Sequence, residues 1–146
     1  MDHEWFTHQI DASQIGWDWF SVQLDDRTEL MLFKLRRKDG SVDPYSSGTY
    51  IDREGRARHL TVKDFTLEPL DYWRSPKTKA LYPVKWRIRV PSANLTLECN
   101  AAIPNQELSA AHVGTTYWEG AVVYSGSSKG VGYLEMTGYD KPIHLD

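Results

Sequence analysis

The chain has 146 residues and a mass of 16.8 kDa, which is the size of one compact domain. It carries 6 Trp, 8 Tyr and 4 Phe, and its formal charge of −3 gives no electrostatic reason to expect nucleic acid or an anionic membrane as partner. No apolar run approaches the roughly 18 residues of a membrane span, and a single cysteine, Cys99, excludes an intramolecular disulfide and a cysteine-built zinc site.

The N-terminus, Met1-Asp2-His3-Glu4-Trp5, has neither a basic region nor an apolar core, so it reads as no secretory signal. Residues 2–9 already alternate as a strand, with His3, Trp5 and Thr7 on one face and Asp2, Glu4, Phe6 and His8 on the other. Asp11-Ala12-Ser13-Gln14 has room for one helical turn. The strand predicted over 17–25 has two apolar faces, Trp17 and Trp19 on one, Phe20, Val22 and Leu24 on the other. A more continuous apolar strand follows over 28–37 and leaves through the basic residues Arg36, Arg37 and Lys38, read as a charged hairpin tip. Asp25-Asp26, Lys38-Asp39-Gly40 and Asp52-Arg53-Glu54-Gly55 supply turn chemistry around further strands at 46–51, 56–61 and 65–73.

The second half is more regular. Val84, Trp86, Ile88 and Val90 alternate with Lys85, Arg87 and Arg89 inside a strand over 81–90, so one face is buried and a basic row is solvated. Leu95, Leu97, Cys99 and Ala101 repeat the pattern over 94–102. Ser109-Ala110-Ala111-His112 is a second possible helical turn. Strands over 116–125 and 130–139 complete the series, joined by Ser127-Ser128-Lys129-Gly130. The prolines are expected at strand ends and connections, where a missing N–H is harmless.

About ten short antiparallel strands with hairpin connections suggest an all-β up-and-down barrel or a two-sheet sandwich. No linker, repeat or low-complexity segment divides the chain, so residues 1–146 form one domain. His8, His59, His112 and His144 show no metal-ligand spacing, and there is no nucleophile elbow or glycine-rich phosphate loop, so no metal and no cofactor are assigned.

Four aromatic motifs carry a resemblance: Asp2-His3-Glu4-Trp5-Phe6, Gly16-Trp17-Asp18-Trp19-Phe20, Tyr117-Trp118-Glu119-Gly120 and Gly132-Tyr133-Leu134-Glu135-Met136-Thr137-Gly138-Tyr139. In this order, and from end to end, the chain resembles the C-terminal domain of the hydroxyneurosporene synthase family, also called the carotenoid 1,2-hydratase or AttH-like family. The resemblance implies an antiparallel lipocalin-like β-barrel of about 8–10 strands, the second of two such barrels. It also implies a small hydrophobic ligand, terpenoid- or polyketide-like. Activities known in and around the family are addition of water to an isolated carbon–carbon double bond and, in fungal relatives, pericyclic cyclisation. Members are often exported, so the compartment stays open. The family's His-x-Trp falls here on His3 and Trp5. Its Tyr-x-Asp pair falls by position on Phe33 and Leu35, where neither the phenol nor the carboxylate is present.

Hydrating an unactivated alkene needs a proton donor, a face that stabilises a carbocation, and a placed water. A desolvated carboxylic acid supplies the first and aromatic rings the second. If the Tyr117/Glu119 and Tyr133/Glu135 faces point inward, two carboxyls with nearby tyrosines stand on neighbouring strands, and the pair pushes one pKa upward. If those faces point to water, Trp118, Val122, Leu134 and Met136 are an ordinary core. The candidate catalytic residues are His3, Glu119 and Glu135. The candidate ligand-contacting residues are Trp5, Trp17, Trp19, Phe33, Trp73, Tyr117 and Tyr133. His3 with Trp5 also fits a core histidine capping the barrel end. The rival functional readings are a non-catalytic carrier, or half of a site completed by a preceding barrel or a second copy of the chain.

Overall fold

The computed structural model describes residues 12–109 and 115–142. The strand expected over 2–9, with His3 and Trp5, lies outside these residues. Among the described residues ten strands follow one another: β1 (Gln14–Leu24), β2 (Glu29–Arg37), β3 (Ser47–Ile51), β4 (Ala57–Thr61), β5 (Thr66–Arg74), β6 (Leu81–Val90), β7 (Leu95–Ala101), β8 (Glu107–Ser109), β9 (Thr116–Gly126) and β10 (Gly130–Thr137). They form one antiparallel sheet in the order β4-β3-β2-β1-β10-β9-β7-β6-β5, with β8 added beside β9.

The sheet curls into a half-barrel of the lipocalin-like kind. Along its nine-strand path every neighbour is antiparallel, so β4 and β5 at the two ends run in the same sense. The turn at 62–65 that joins them therefore cannot fold them into a hairpin, and the curl stays open there. At the β1–β10 seam the two backbones press together on the concave side. A side chain at Gly132 would run into the Ser21 carbonyl, and one at Gly16 into that of Thr137.

Alternation decides which side chains meet inside. Phe20, Val22 and Leu24 of β1 join Leu30 and Leu32 of β2, Trp86, Ile88 and Val90 of β6, Leu95, Leu97 and Cys99 of β7, Trp118, Val122 and Tyr124 of β9, and Leu134 and Met136 of β10. Phe20 and Trp86 meet edge to face, with centroids 5.2 Å apart. Burying an aromatic or aliphatic side chain of this size contributes about 1.5–3 kcal/mol, so this packed interior dominates stability. Burial pushes the Cys99 thiol up to about 12, so it behaves as an apolar core residue. On the outside, Lys85 and Arg87 face Glu98 and Glu68 at 3.5–4.0 Å, so the basic row is the solvated face its alternation implied.

Nine of the ten expected strands are described, and each is present within three residues of its expected bounds. Three details differ. Gln14 opens β1 instead of a helical turn, because its amide reaches back to Asp43 Oδ2 at 2.8 Å. Strand β8 lay hidden in Glu107-Leu108-Ser109, too short for periodicity to show. Pro69 and Pro83 sit within strands, at positions where the β5–β6 register shifts and a ladder donor is already missing. Among the described residues no helix is long and apolar enough to cross a membrane.

Candidate functional site

Of the residues singled out by sequence, Trp17, Trp19, Phe33, Tyr117, Glu119, Tyr133 and Glu135 come together, on the convex side of the sheet. Phe33 of β2 pairs with Trp19 of β1, Trp19 with Glu135 of β10, and Glu135 with Glu119 of β9, giving one row across four strands. Trp17 lies beside this row and donates its indole N–H to Glu135 Oε1 at 2.8 Å. Tyr117 and Tyr133 flank it two residues away on their own strands. Of the two orientations that alternation left open, the outward one is found. Trp118, Gly120, Leu134 and Met136 alternate with these residues and are the buried ones. Only one face of a strand can enter the core, and on β9 and β10 the uncharged set takes it.

Along this outer face burial rises steadily from one end to the other. Val131 and Val123 are 58% and 50% exposed, Tyr133 38%, and Trp19, Glu119 and Glu135 are half-buried. Beyond the row, Leu35 and Thr137 are 5% and 0% exposed, though both also face outward. Segment 43–46 covers part of that end: the Ser46 hydroxyl accepts the Leu35 N–H, and the Asp43 N–H donates to the Leu35 carbonyl. Thr137 Oγ1 accepts the Trp17 N–H at 3.0 Å. Burial, and then the neighbouring Glu119 carboxylate, raise the Tyr133 phenol above its ordinary value. Phe33 and Leu35, the positions of the resembled Tyr-x-Asp pair, belong to this same outer face.

The interior holds a different cluster. Asp18 stands between Trp17 and Trp19 yet points the opposite way and is fully buried. Its Oδ1 accepts the Tyr139 hydroxyl at 2.8 Å, and its Oδ2 lies 3.2 Å from Arg36 Nε as a charge contact without hydrogen-bond geometry. Burial raises the Asp18 carboxyl above its ordinary 3.8, against the opposing charges of Arg36 and Lys34. The Arg36 guanidinium stacks over the Tyr139 ring at 3.9 Å, and one of its N–H groups donates to the Thr137 carbonyl. Burial and the Asp18 carboxylate push the Tyr139 phenol well up. Tyr139 touches Tyr82 at 5.5 Å, and Tyr82 stacks on Trp73 at 6.2 Å. Lys34, opposite Asp18 in the β1–β2 register, places its ammonium 5.5 Å from the centre of Trp86.

Trp73 is thus the one described ligand candidate that reaches the inner side, while Tyr72 beside it is half exposed. Arg36 and Arg37 are not a free hairpin tip. Arg36 turns inward, and Arg37 reaches the buried Asp43 at 3.0 Å. The interior cluster was missed because charged residues at a strand's end read as an exit to water. The signal was parity: Asp18 is in phase with Phe20 and Val22, and Lys34 and Arg36 are in phase with Leu30 and Leu32. Among the described residues no group of three or more His, Cys, Asp or Glu side chains is placed to hold a metal ion.

Comparison with known proteins supports the motif reading. Residues 1–139 match the AttH-like family. The crystal structure of an AttH-type protein from Nitrosomonas europaea is 36% identical, superposes with a TM-score of 0.83, and is matched over 90% of this chain. This chain spans 41% of that protein's length. No curated protein matches. A match over nearly the whole sequence, with the same curled antiparallel sheet beneath it, places the chain in a family: it belongs to the AttH-like family.

Proposed function

We propose that this domain forms one wall of a binding site for a small hydrophobic molecule, terpenoid- or polyketide-like, and that the wall is the outer face of β2-β1-β10-β9. The observation that carries this reading is the Phe33–Trp19–Glu135–Glu119 row, half-buried and flanked by Trp17, Tyr117 and Tyr133. An apolar wall with a few convergent polar groups is the usual make-up of a ligand site. The longer relative has more than half its length outside the matched region, enough for a second body to close the wall. His3 and Trp5 are proposed to join it. A second copy of this chain is the rival cover, and light scattering of the purified chain distinguishes the two.

Within this reading, Glu119 and Glu135 are the candidate acids for hydratase- or cyclase-type chemistry. They face each other directly across β9 and β10. The loss of phenol and carboxylate at Phe33 and Leu35 favours the alternative, a carrier that binds without reacting.

Titration of the full-length protein with retinol or geranylgeraniol, followed by indole fluorescence, tests the wall. Saturable quenching is expected, weakened about tenfold in Trp19→Ala, as for the loss of one aromatic contact at an interface. Undiminished affinity in Trp19→Ala, with loss in Trp73→Ala, would move the ligand to the interior. Incubation in ¹⁸O-labelled water then separates the readings: label in the product, lost in Glu119→Gln or Glu135→Gln, marks a hydratase. An unlabelled product isomeric with the ligand marks a cyclase, and recovery of the ligand unchanged marks a carrier.

A further inference from the structure

We propose that the Glu107 carboxylate is an acid-released latch: it ties β8 to the β5–β6 turn over 75–80, and its protonation opens that end of the barrel. The latch lies on the inner side of the sheet and does not depend on the outer row.

Backbone pairing leaves a seam here. Among the described residues β8 pairs with β9 alone, and β6 pairs with β7 only from Lys85 onward. The first residues of β6, 81–84, therefore have no ladder toward β8. Glu107 crosses this seam. It stands opposite the buried Trp118 in the β8–β9 register, and accepts the Ser75 hydroxyl on Oε1 at 2.6 Å and the Thr78 hydroxyl on Oε2 at 2.7 Å. Lys77 Nζ adds a longer contact to the Ser109 carbonyl at 3.5 Å. Segment 102–106, which leads into β8, is fastened to β9 instead. The Trp118 indole donates to the Pro104 carbonyl, and the Glu119 N–H to that of Gln106.

The turn selects the ionised form of the carboxyl. Ser75 Oγ already accepts the N–H groups of Lys77 and Thr78, and Thr78 Oγ1 accepts that of Ala80. Each hydroxyl thus has a proton to give and needs an acceptor for it. A carboxylate offers one oxygen to each. A carboxylic acid carries its own hydrogen on one oxygen, so one of the two bonds is lost. Behind the seam the Tyr82 hydroxyl is buried with no hydrogen bond among the described residues, and the Tyr139 ring lies beside it. Opening hydrates that hydroxyl, which favours release once one bond has gone. The titratable groups facing Glu107 are Lys77 of the turn and Tyr82 of β6, with Asp140 beyond Tyr82; Trp118 of β9 adds no charge. Burial raises the Glu107 carboxyl, but the two hydroxyls and the Lys77 charge outweigh it and hold it below 4.5. The latch is therefore shut above 4.5 and released as pH falls through the folded value.

Hydrogen exchange of the purified chain, read by mass spectrometry on peptides covering 73–84 and 105–109 and corrected for the intrinsic rate at each pH, tests the latch. In the wild type, protection of both segments is expected to fall together by about tenfold between neutral pH and about pH 3, as the loss of one hydrogen bond to a charged group would give. Strand β7 should stay protected over the same range. Glu107→Gln, whose amide cannot accept both hydroxyl protons, is expected to show the fall already at neutral pH and to lose the pH dependence. Retention of the wild-type pH dependence in Glu107→Gln overturns the proposal. So does wild-type protection of 73–84 that is insensitive to pH or falls only together with β7, a comparison that needs no variant to fold.

Discussion

Both faces of the β2-β1-β10-β9 arc carry aromatic residues, and they use them differently. On the concave side Phe20, Trp118 and Tyr124 are 0–1% exposed and locked into a common core. On the convex side Trp17, Trp19, Phe33, Tyr117 and Tyr133 keep part of their surface, and two carboxyls sit among them. The charged groups divide just as unevenly. The outer pair consists of like charges with an indole donor, whereas the inner set pairs Asp18 with two cations and a phenol. A face that must stabilise the fold removes its polar atoms or satisfies them. A face that must accept another molecule can leave them half-wet.

Substitutions on the two faces should therefore separate sharply. Trp118→Ala empties a fully buried site whose indole N–H bonds the Pro104 carbonyl, and should cost about 3–5 kcal/mol in urea denaturation. The same change at Trp19 should cost about 1 kcal/mol or less, since its surface is only partly removed from water. Equal losses at the two tryptophans would erase the distinction between core and wall.

Removing the buried carboxyl is the next largest effect. Asp18→Ala leaves the Arg36 guanidinium without its charge partner and should cost about 3 kcal/mol, the low end for a broken buried pair because Arg36 keeps 15% side-chain exposure. The pH dependence has a definite sign. Because the folded pKa of Asp18 is raised, its contribution is fully present below its ordinary 3.8 and is lost as pH rises through the folded value. The stability difference between wild type and Asp18→Asn should thus shift against wild type as pH rises through that window. Glu107 behaves in the opposite way. Burial pushes its pKa up, but hydrogen bonds from Ser75 at 2.6 Å and Thr78 at 2.7 Å outweigh it and hold the carboxyl below 4.5. Its contribution is present above 4.5 and fades as pH falls through the folded value. Denaturation of Asp18→Asn and Glu107→Gln across acidic pH should give slopes of opposite sign relative to wild type.

The smallest effect probes the wall alone. Trp17→Phe keeps the ring and removes the 2.8 Å donation to Glu135, so it should cost about 1 kcal/mol. If the wall reading holds, ligand affinity should fall further than that stability change would suggest. A drop in stability with unchanged affinity would make the contact purely structural.

Much of the architecture was legible from residue order. The alternation in 84–90 and 95–101 put Trp86, Ile88, Leu97 and Cys99 inside, where they are found. The turn residues were equally readable: Gly40 and Gly55 take positive φ of 83° and 81°, which glycine adopts without strain. The candidate site was half legible. The motifs found the residues of the outer row, because aromatic and carboxylate side chains at period two are visible in one dimension. They did not find Asp18, Lys34, Arg36 and Tyr139, whose meeting depends on pairing β1 with β2 and on the segment after β10 folding back across them.

By itself the sequence determined that the strands alternate, where they turn, and which residues share a face. The assignment of faces to core or surface was left to the tertiary structure. Strand β1 is apolar on both sides, Trp17 and Trp19 on one and Phe20, Val22 and Leu24 on the other, so local pattern allowed either orientation. The curl of the whole sheet settled it. At the β1–β10 seam the concave side accepts only glycine at positions 16 and 132. The face carrying Gly16, Asp18, Phe20 and Val22 fits that space, and the tryptophans are left on the wider convex side.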